Sequence, residues 1–196
     1  MDAIETIKSR RSIRKYKDTQ ISKTLIQELI DYACYAPSSH NRQPWSFTVI
    51  HDQDKLNNIS TDIRNWYNSF VKLGTPLSFI KEIKKSVDEM KKRVKSDKDL
   101  FFYHAPAVII IHAPKKKFYS QDCACASQNI MLAARASNIG SCWIGFADIV
   151  FNRSLKLKKR LNIPATHKIY ATIALGYPEK FPEKALPRKQ PMVDWL

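Results

Sequence analysis

The chain has 196 residues, with 33 Lys and Arg against 18 Asp and Glu, giving a formal net charge of +15. That length supports one sizeable core, and the apolar fraction of 44% includes no run of about 18 residues able to span a bilayer. The excess of cations favours phosphates, anionic cofactors or nucleic acid as partners.

Residues 2–10 read as a short helix with Ile4 and Ile7 inward. Ser22 is a fitting N-cap for a second helix carrying Leu25, Ile26, Leu29, Ile30 and Ala33 on one face, stopped before Pro37. Trp45 to His51 predicts a strand, with Phe47 and Val49 alternating against Ser46 and Thr48. Leu56, Ile59, Ile63, Trp66, Tyr67 and Phe70 mark a third helix. A basic helix follows over about 80–95, with Ile80, Ile83, Val87, Met90 and Val94 inward and Lys84, Lys85, Lys91 and Lys92 outward.

Ala107 to His112 predicts a buried strand flanked by prolines, and the alanine-rich stretch Gln121 to Ser137 a buried central helix. A short strand over Ser141 to Gly145, a helix over 148–161, and a strand over Lys168 to Leu175 with alternating Ile169, Ala171, Ile173 and Leu175 complete the pattern. Pro178, Pro182, Pro187 and Pro191 then make the tail an extended arm. The expectation is one domain over 1–196, with helices and strands alternating and no internal linker.

Met1-Asp2-Ala3-Ile4-Glu5 has no basic segment leading into an apolar one, so no secretory signal is expected and the cytoplasm is the expected compartment. Cys34, Cys123, Cys125 and Cys142 are too irregularly spaced for a disulfide framework, and neither they nor His104 and His112 have zinc-like spacing. Buried thiols and no metal site are expected. Solvated helix faces account for the lysine clusters, which leaves a basic nucleic-acid-binding protein as the minority alternative.

Gly74, Gly140, Gly145 and Gly176 are the chain's four glycines, and they form neither G-x-G-x-x-G nor a P-loop. A phosphate therefore has to be held by side chains, for which arginine is best suited. Two polar segments stand out, Arg10-Arg11-Ser12-Ile13-Arg14 and Pro37-Ser38-Ser39-His40-Asn41-Arg42-Gln43-Pro44-Trp45. Taken singly they read equally as solvated cations at a helix end and as ordinary loop residues.

Together, and in this order, they resemble the two N-terminal signatures of the nitroreductase family of FMN-dependent flavoproteins. The likeness continues through Gln128-Asn129, Asn138 to Gly145, Ala174-Leu175-Gly176-Tyr177-Pro178 and Pro187-Arg188-Lys189, leaving about 52–104 as a variable region over the pocket. The resemblance implies an α+β fold with a central mixed or antiparallel sheet flanked by helices and an extended C-terminal arm. It implies a homodimer with FMN at the subunit interface, and hydride transfer from NADH or NADPH to a small nitroaromatic or quinone by a ping-pong scheme.

By position, the resemblance makes Arg10, Arg11, Ser12 and Arg14 flavin contacts. Arg10 and Arg188 would grip the phosphate, with Lys189 beside them, and Arg14 would lie at the pyrimidine edge. Pro37, Ser38, Ser39, Asn41 and Gln43 would reach the flavin from the partner subunit. Trp143, Ile144 and Gly145 would pass one face of the ring. No side chain is assigned as catalytic; His40 is a proton-donor candidate by its place in the sequence alone. A member that binds flavin without nitroreductase turnover is a further alternative.

Overall fold

A computed structural model of the chain describes residues 1–72, 88, 90–96 and 98–196, with side chains in the first stretch as far as Ser69. The elements are α1 (Ala3–Ser9), α2 (Lys23–Ala33), a 3-10 turn (Ser39–Asn41), β1 (Ser46–Ile50), α3 (Gln53–Lys72) and β2 (Ala107–Pro114). Then come α4 (Tyr119–Ala136), β3 (Gly140–Trp143), α5 (Gly145–Arg153), α6 (Leu155–Arg160) and β4 (His167–Gly176). Residues 90–95 are also helical. The sheet order is β1-β2-β4-β3 with every neighbouring pair antiparallel, and helices cover both faces. The fold is α+β.

Two apolar layers hold the sheet. On one side Leu56, Ile59 and Ile63 of α3 and Ala147, Val150 and Phe151 of α5 pack against Val108, Ile110 and Ala174. On the other, Ile26, Leu29 and Ala33 of α2 and Cys123, Ala126 and Ile130 of α4 pack against Ala107, Ile109, Ile111, Ala171 and Ile173. Successive β2 residues thus serve opposite layers, which is why that strand is apolar throughout. Local signals begin the helices: Asp2 accepts from the Glu5 amide, and Ser22 accepts from the Leu25 amide. No helix among the described residues is long and apolar enough to cross a membrane.

Several expectations need correction. Ile4 and Ile7 are 60% and 55% exposed, because α1 turns Thr6 inward instead. Val49 is exposed, since β1 is an edge strand. The helix expected over 148–161 is two helices, broken at Ser154, whose extended backbone lets its hydroxyl cap α6 at the Leu157 amide. Ile169 belongs to the layer opposite Ala171, because a register shift leaves Tyr170 without a partner on β2 and reverses the alternation. Helix α4 buries one side only; Ala124, Cys125 and Ala136 are exposed. Most of the basic helix expected over 80–95, including Ile80, Ile83, Val87, Lys84 and Lys85, lies outside the described residues, as does the side chain of Phe70. Met90 and Val94 are buried as expected, and Lys91 and Lys92 are exposed.

Candidate functional site

The N-terminal arginine segment is extended and fastened to the sheet. Arg10 leaves α1 at φ −60° and ψ 133°. The Ile13 amide donates to the Ser141 carbonyl at 3.0 Å, and Ser12 bridges Ser141 in parallel register. The Tyr16 hydroxyl donates to the Ile13 carbonyl at 2.7 Å, and Lys17 N donates to Tyr177 O at 2.8 Å. Extended backbone alternates its side chains, so buried Ile13 leaves Ser12 and Arg14 facing outward. Two glycines permit this approach. A Cβ at Gly140 would lie 2.9 Å from Ile13, and one at Gly176 would lie 2.6 Å from the Tyr16 ring.

Arg10 and Arg14 converge electrostatically on Cys142 of β3. Burial raises that thiol's pKa, while the positive charges of Arg14, Arg93 and Arg10 pull it down. None of these three arginines makes an ion pair with a carboxylate among the described residues. Arg93 carried no sequence signal, because only the tertiary fold brings it here. Arg11 differs from its neighbours: its Nη1 donates back to Lys8 O at 2.7 Å and Arg10 O at 2.9 Å, closing the end of α1.

Pro37 to Gln43 forms a separate, strained loop. His40, Asn41 and Gln43 have φ of 55°, 52° and 45°, a region non-glycine residues avoid. The Ser38 hydroxyl accepts from Gln43 N at 3.0 Å, Gln43 Nε2 donates to Asn41 Oδ1 at 2.8 Å, and Asp122 Oδ1 on α4 accepts from Ser39 N at 3.1 Å. Asp122 Oδ2 is buried, with no hydrogen-bond partner among the described residues. His40 Nδ1 stands 3.0 Å from the Ser39 hydroxyl. Pro37 is exposed and Trp45 is core. No hydrogen bond or ring contact joins this loop to Arg10, Arg14 or Cys142 among the described residues. Arg188 and Lys189 are exposed on the tail, and no hydrogen bond joins them to Arg10 among the described residues.

The exit of β3 gives the third element. Ile144 N donates to Thr172 O at 2.7 Å, turning the chain into α5. The Trp143 indole donates to Asp148 Oδ2 at 3.0 Å, and the Thr172 hydroxyl donates to Asp148 Oδ1 at 2.6 Å. Burial still raises the Asp148 carboxyl from 3.8 to about 6. A Cβ built on Gly145 would meet nothing within 4 Å among the described residues, so no contact among them explains the glycine there. Asp148 was missed because nothing near it in sequence marks it out.

The sequence model of the Nitroreductase family matches residues 7–177. A putative NADH dehydrogenase/NAD(P)H nitroreductase of Methanothermobacter thermautotrophicus is 30% identical over 93% of this chain and 80% of its own length. One of the same description from Archaeoglobus fulgidus is 30% identical over 91% of this chain and 86% of its own. Among solved structures, a nitroreductase with bound FMN from Bacteroides fragilis superposes with a TM-score of 0.75 at 28% identity, covering 98% of this chain and 95% of that one. With a fastened arginine segment, a strained polar loop and an open glycine after β3, the chain belongs to the Nitroreductase family.

Proposed function

We propose that the protein is an FMN-dependent oxidoreductase, taking hydride from NADH or NADPH and delivering it to a small nitroaromatic or quinone in a ping-pong scheme. The observation that carries this reading is the Arg10–Arg14 segment fastened along β3, with no carboxylate paired to Arg10 or Arg14 among the described residues. Unneutralised guanidinium groups suit a phosphate and an electron-rich ring edge. The open space over Gly145 leaves room for a flat ring, so the residues fit FMN.

Bound FMN supplies hydride acceptance and donation at its N5, with the charge of the reduced ring collecting at its N1 and C2 carbonyl. Arg10 holds the phosphate, joined by Arg188 and Lys189 of the tail. Arg14 and Ser12 take the pyrimidine edge, where a cation favours the reduced, anionic state. Trp143 and Ile144 border one ring face, with the indole fixed by Asp148. Arg11 steadies the segment through Lys8 O and Arg10 O.

Pro37, Ser38, Ser39, Asn41 and Gln43 are assigned to the flavin of the partner subunit in a homodimer. That no hydrogen bond or ring contact joins this loop to Arg10 or Arg14 among the described residues supports that assignment. Apolar side chains open to solvent in the single chain support the dimer: Ile4, Ile7, Tyr35 at 85% and Trp195 at 92% exposed. We assign the enzyme to the cytoplasm, where nicotinamide donors are at hand. Initial rates over a grid of NADH and nitroaromatic concentrations test the scheme: parallel double-reciprocal lines are expected, and intersecting lines contradict it.

A further inference from the structure

Where β2 finishes and β4 begins, a cavity of about 300 Å³ is lined by Lys115, Asn152, Lys158, Thr166, His167 and Lys168. Local rules bring these residues together. Helix α6 ends with Asn162 in the left-handed region; the Ile163 amide donates to Lys158 O at 2.9 Å and the Asn162 amide to Lys159 O at 3.1 Å. The His167 amide then donates to Pro164 O at 2.9 Å, a tight turn that leads into β4. Pro114 pairs with His167 across the two strands, which sets Lys115 at the same mouth. The stretch of β4 from His167 to Ile173, the partner of Trp143, puts about 20 Å of strand between this cavity and the exit of β3.

The charges around the cavity have one sign. Lys158 is only 6% exposed, an uncommon place for a lysine. Its ammonium donates to His167 O at 2.6 Å, a carbonyl that brings no formal charge to offset it. None of Lys115, Lys158 and Lys168 pairs with a carboxylate among the described residues. Burial lowers the pKa of Lys158, and burial followed by the charge of Lys158 lowers that of His167. The cavity therefore resists any further positive charge and favours an anion. Behind His167 stands buried His112, Nδ1 to Nδ1 at 2.8 Å. Asn152 forms wall rather than ligand: its Nδ2 donates to Asp148 O and Ile169 O, and its Oδ1 accepts from the Ile169 amide.

We propose that this cavity is a second ligand site that binds a phosphate group, as the free ion or as a small monoester. Lysines from the end of β2, from α6 and from the start of β4 surround one space. Such point charges suit a compact, multiply charged oxyanion, whereas a carboxylate is better matched by the planar fork of arginine. The Thr166 hydroxyl adds a neutral donor. The volume lies at the low end of small-molecule sites, about 300–1,000 Å³, and so admits a phosphate with a small body. A bound phosphate would also offset the buried ammonium of Lys158. This inference stands apart from the flavin reading, since it uses none of the residues assigned to FMN.

The test is calorimetric titration of inorganic phosphate and of ribose 5-phosphate into FMN-loaded, dialysed protein at fixed ionic strength. Wild type is compared with the double variant Lys115→Gln, Lys168→Gln and with Lys158→Met. One phosphate per chain is expected, bound about tenfold more weakly by the double variant, whose altered side chains are exposed. Lys158→Met is expected to abolish binding; should it fail to fold, the double variant decides. Tighter binding of the ester identifies a phosphorylated metabolite as the occupant, and tighter binding of the free ion identifies phosphate itself. No saturable binding, acetate binding as tightly as phosphate, or wild-type affinity in the double variant would overturn the proposal. Release of FMN by phosphate, or tighter binding of duplex DNA than of either ligand, would overturn it as well. A protein that takes up no FMN is titrated as purified; that failure defeats the oxidoreductase reading alone.

Discussion

Ile13 lies against Gly140 so closely that a methyl group at position 140 would sit 2.9 Å from its Cβ and Cγ2. This contact presses the Arg10–Arg14 segment onto β3. Gly140→Ala is therefore expected to destabilise the fold by about 1–3 kcal/mol through overpacking and to loosen FMN as the segment shifts. Chemical denaturation and FMN fluorescence titration check this together; an alanine variant with wild-type values in both would show that the approach is not required.

The arginines should separate by role. Arg10→Gln with Arg188→Gln is expected to weaken FMN binding by about 2–4 kcal/mol, the loss of two charge-assisted phosphate contacts. Arg14→Gln should retain much of the affinity while lowering the flavin reduction potential, because it removes the cation from the reduced ring's edge. Arg11→Gln should leave the potential unchanged and cost less FMN affinity than the Arg10 and Arg188 pair, its guanidinium being committed to Lys8 O and Arg10 O. A potentiometric titration with no shift for Arg14→Gln contradicts its assignment.

Asp122 links the strained loop to α4 through Ser39 N. Asp122→Ala leaves that amide without its acceptor and frees a loop holding three left-handed residues. A stability loss of about 1–3 kcal/mol is expected, with FMN retention falling as well. Asp122→Asn keeps an acceptor oxygen and should retain most of the stability. Equal losses in both variants would mean that the carboxylate's charge, rather than its bond to Ser39, matters.

Stability should carry two opposing pH slopes. Buried His112 stands 2.8 Å from His167, nitrogen to nitrogen, and its pKa falls from 6.5 to about 4, chiefly by burial and then through His167 and Lys158. The folded state then binds fewer protons than the unfolded chain, so this contribution is complete above pH 6.5 and drains away as pH falls toward 4. Asp148 has a raised pKa of about 6, so its contribution is present in acid and is lost as pH rises from about 4 to 6. Each amounts to on the order of 3 kcal/mol, and they nearly cancel. His167, also lowered by burial and Lys158, tilts the balance toward loss in acid. Relative to wild type, Asp148→Asn should lose stability more steeply on acidification, and His112→Gln less steeply. Urea denaturation between pH 4 and 6.5 checks both; parallel profiles for the three proteins would contradict the account.

Helix α2 was legible because its Ser22 cap and its apolar spacing agreed, and α3 because its apolar spacing was sustained over several turns. The same periodicity misled at Ile4 and Ile7, where a seven-residue helix is too short to fix its inward face. It also misled at Ile169, because a bulge is a property of strand pairing rather than of one strand. Arg10, Ser12 and Arg14 could be grouped from sequence since they share one extended segment. Arg93 and Asp148 could not, since only folding places them near β3 and its exit.

The visible absorbance spectrum of the dialysed protein, taken before and after anaerobic addition of NADH and NADPH, tests the central claim most directly. The account predicts one flavin per chain, bleached by at least one donor and restored by a nitroaromatic. A colourless protein that takes up no added FMN would contradict it.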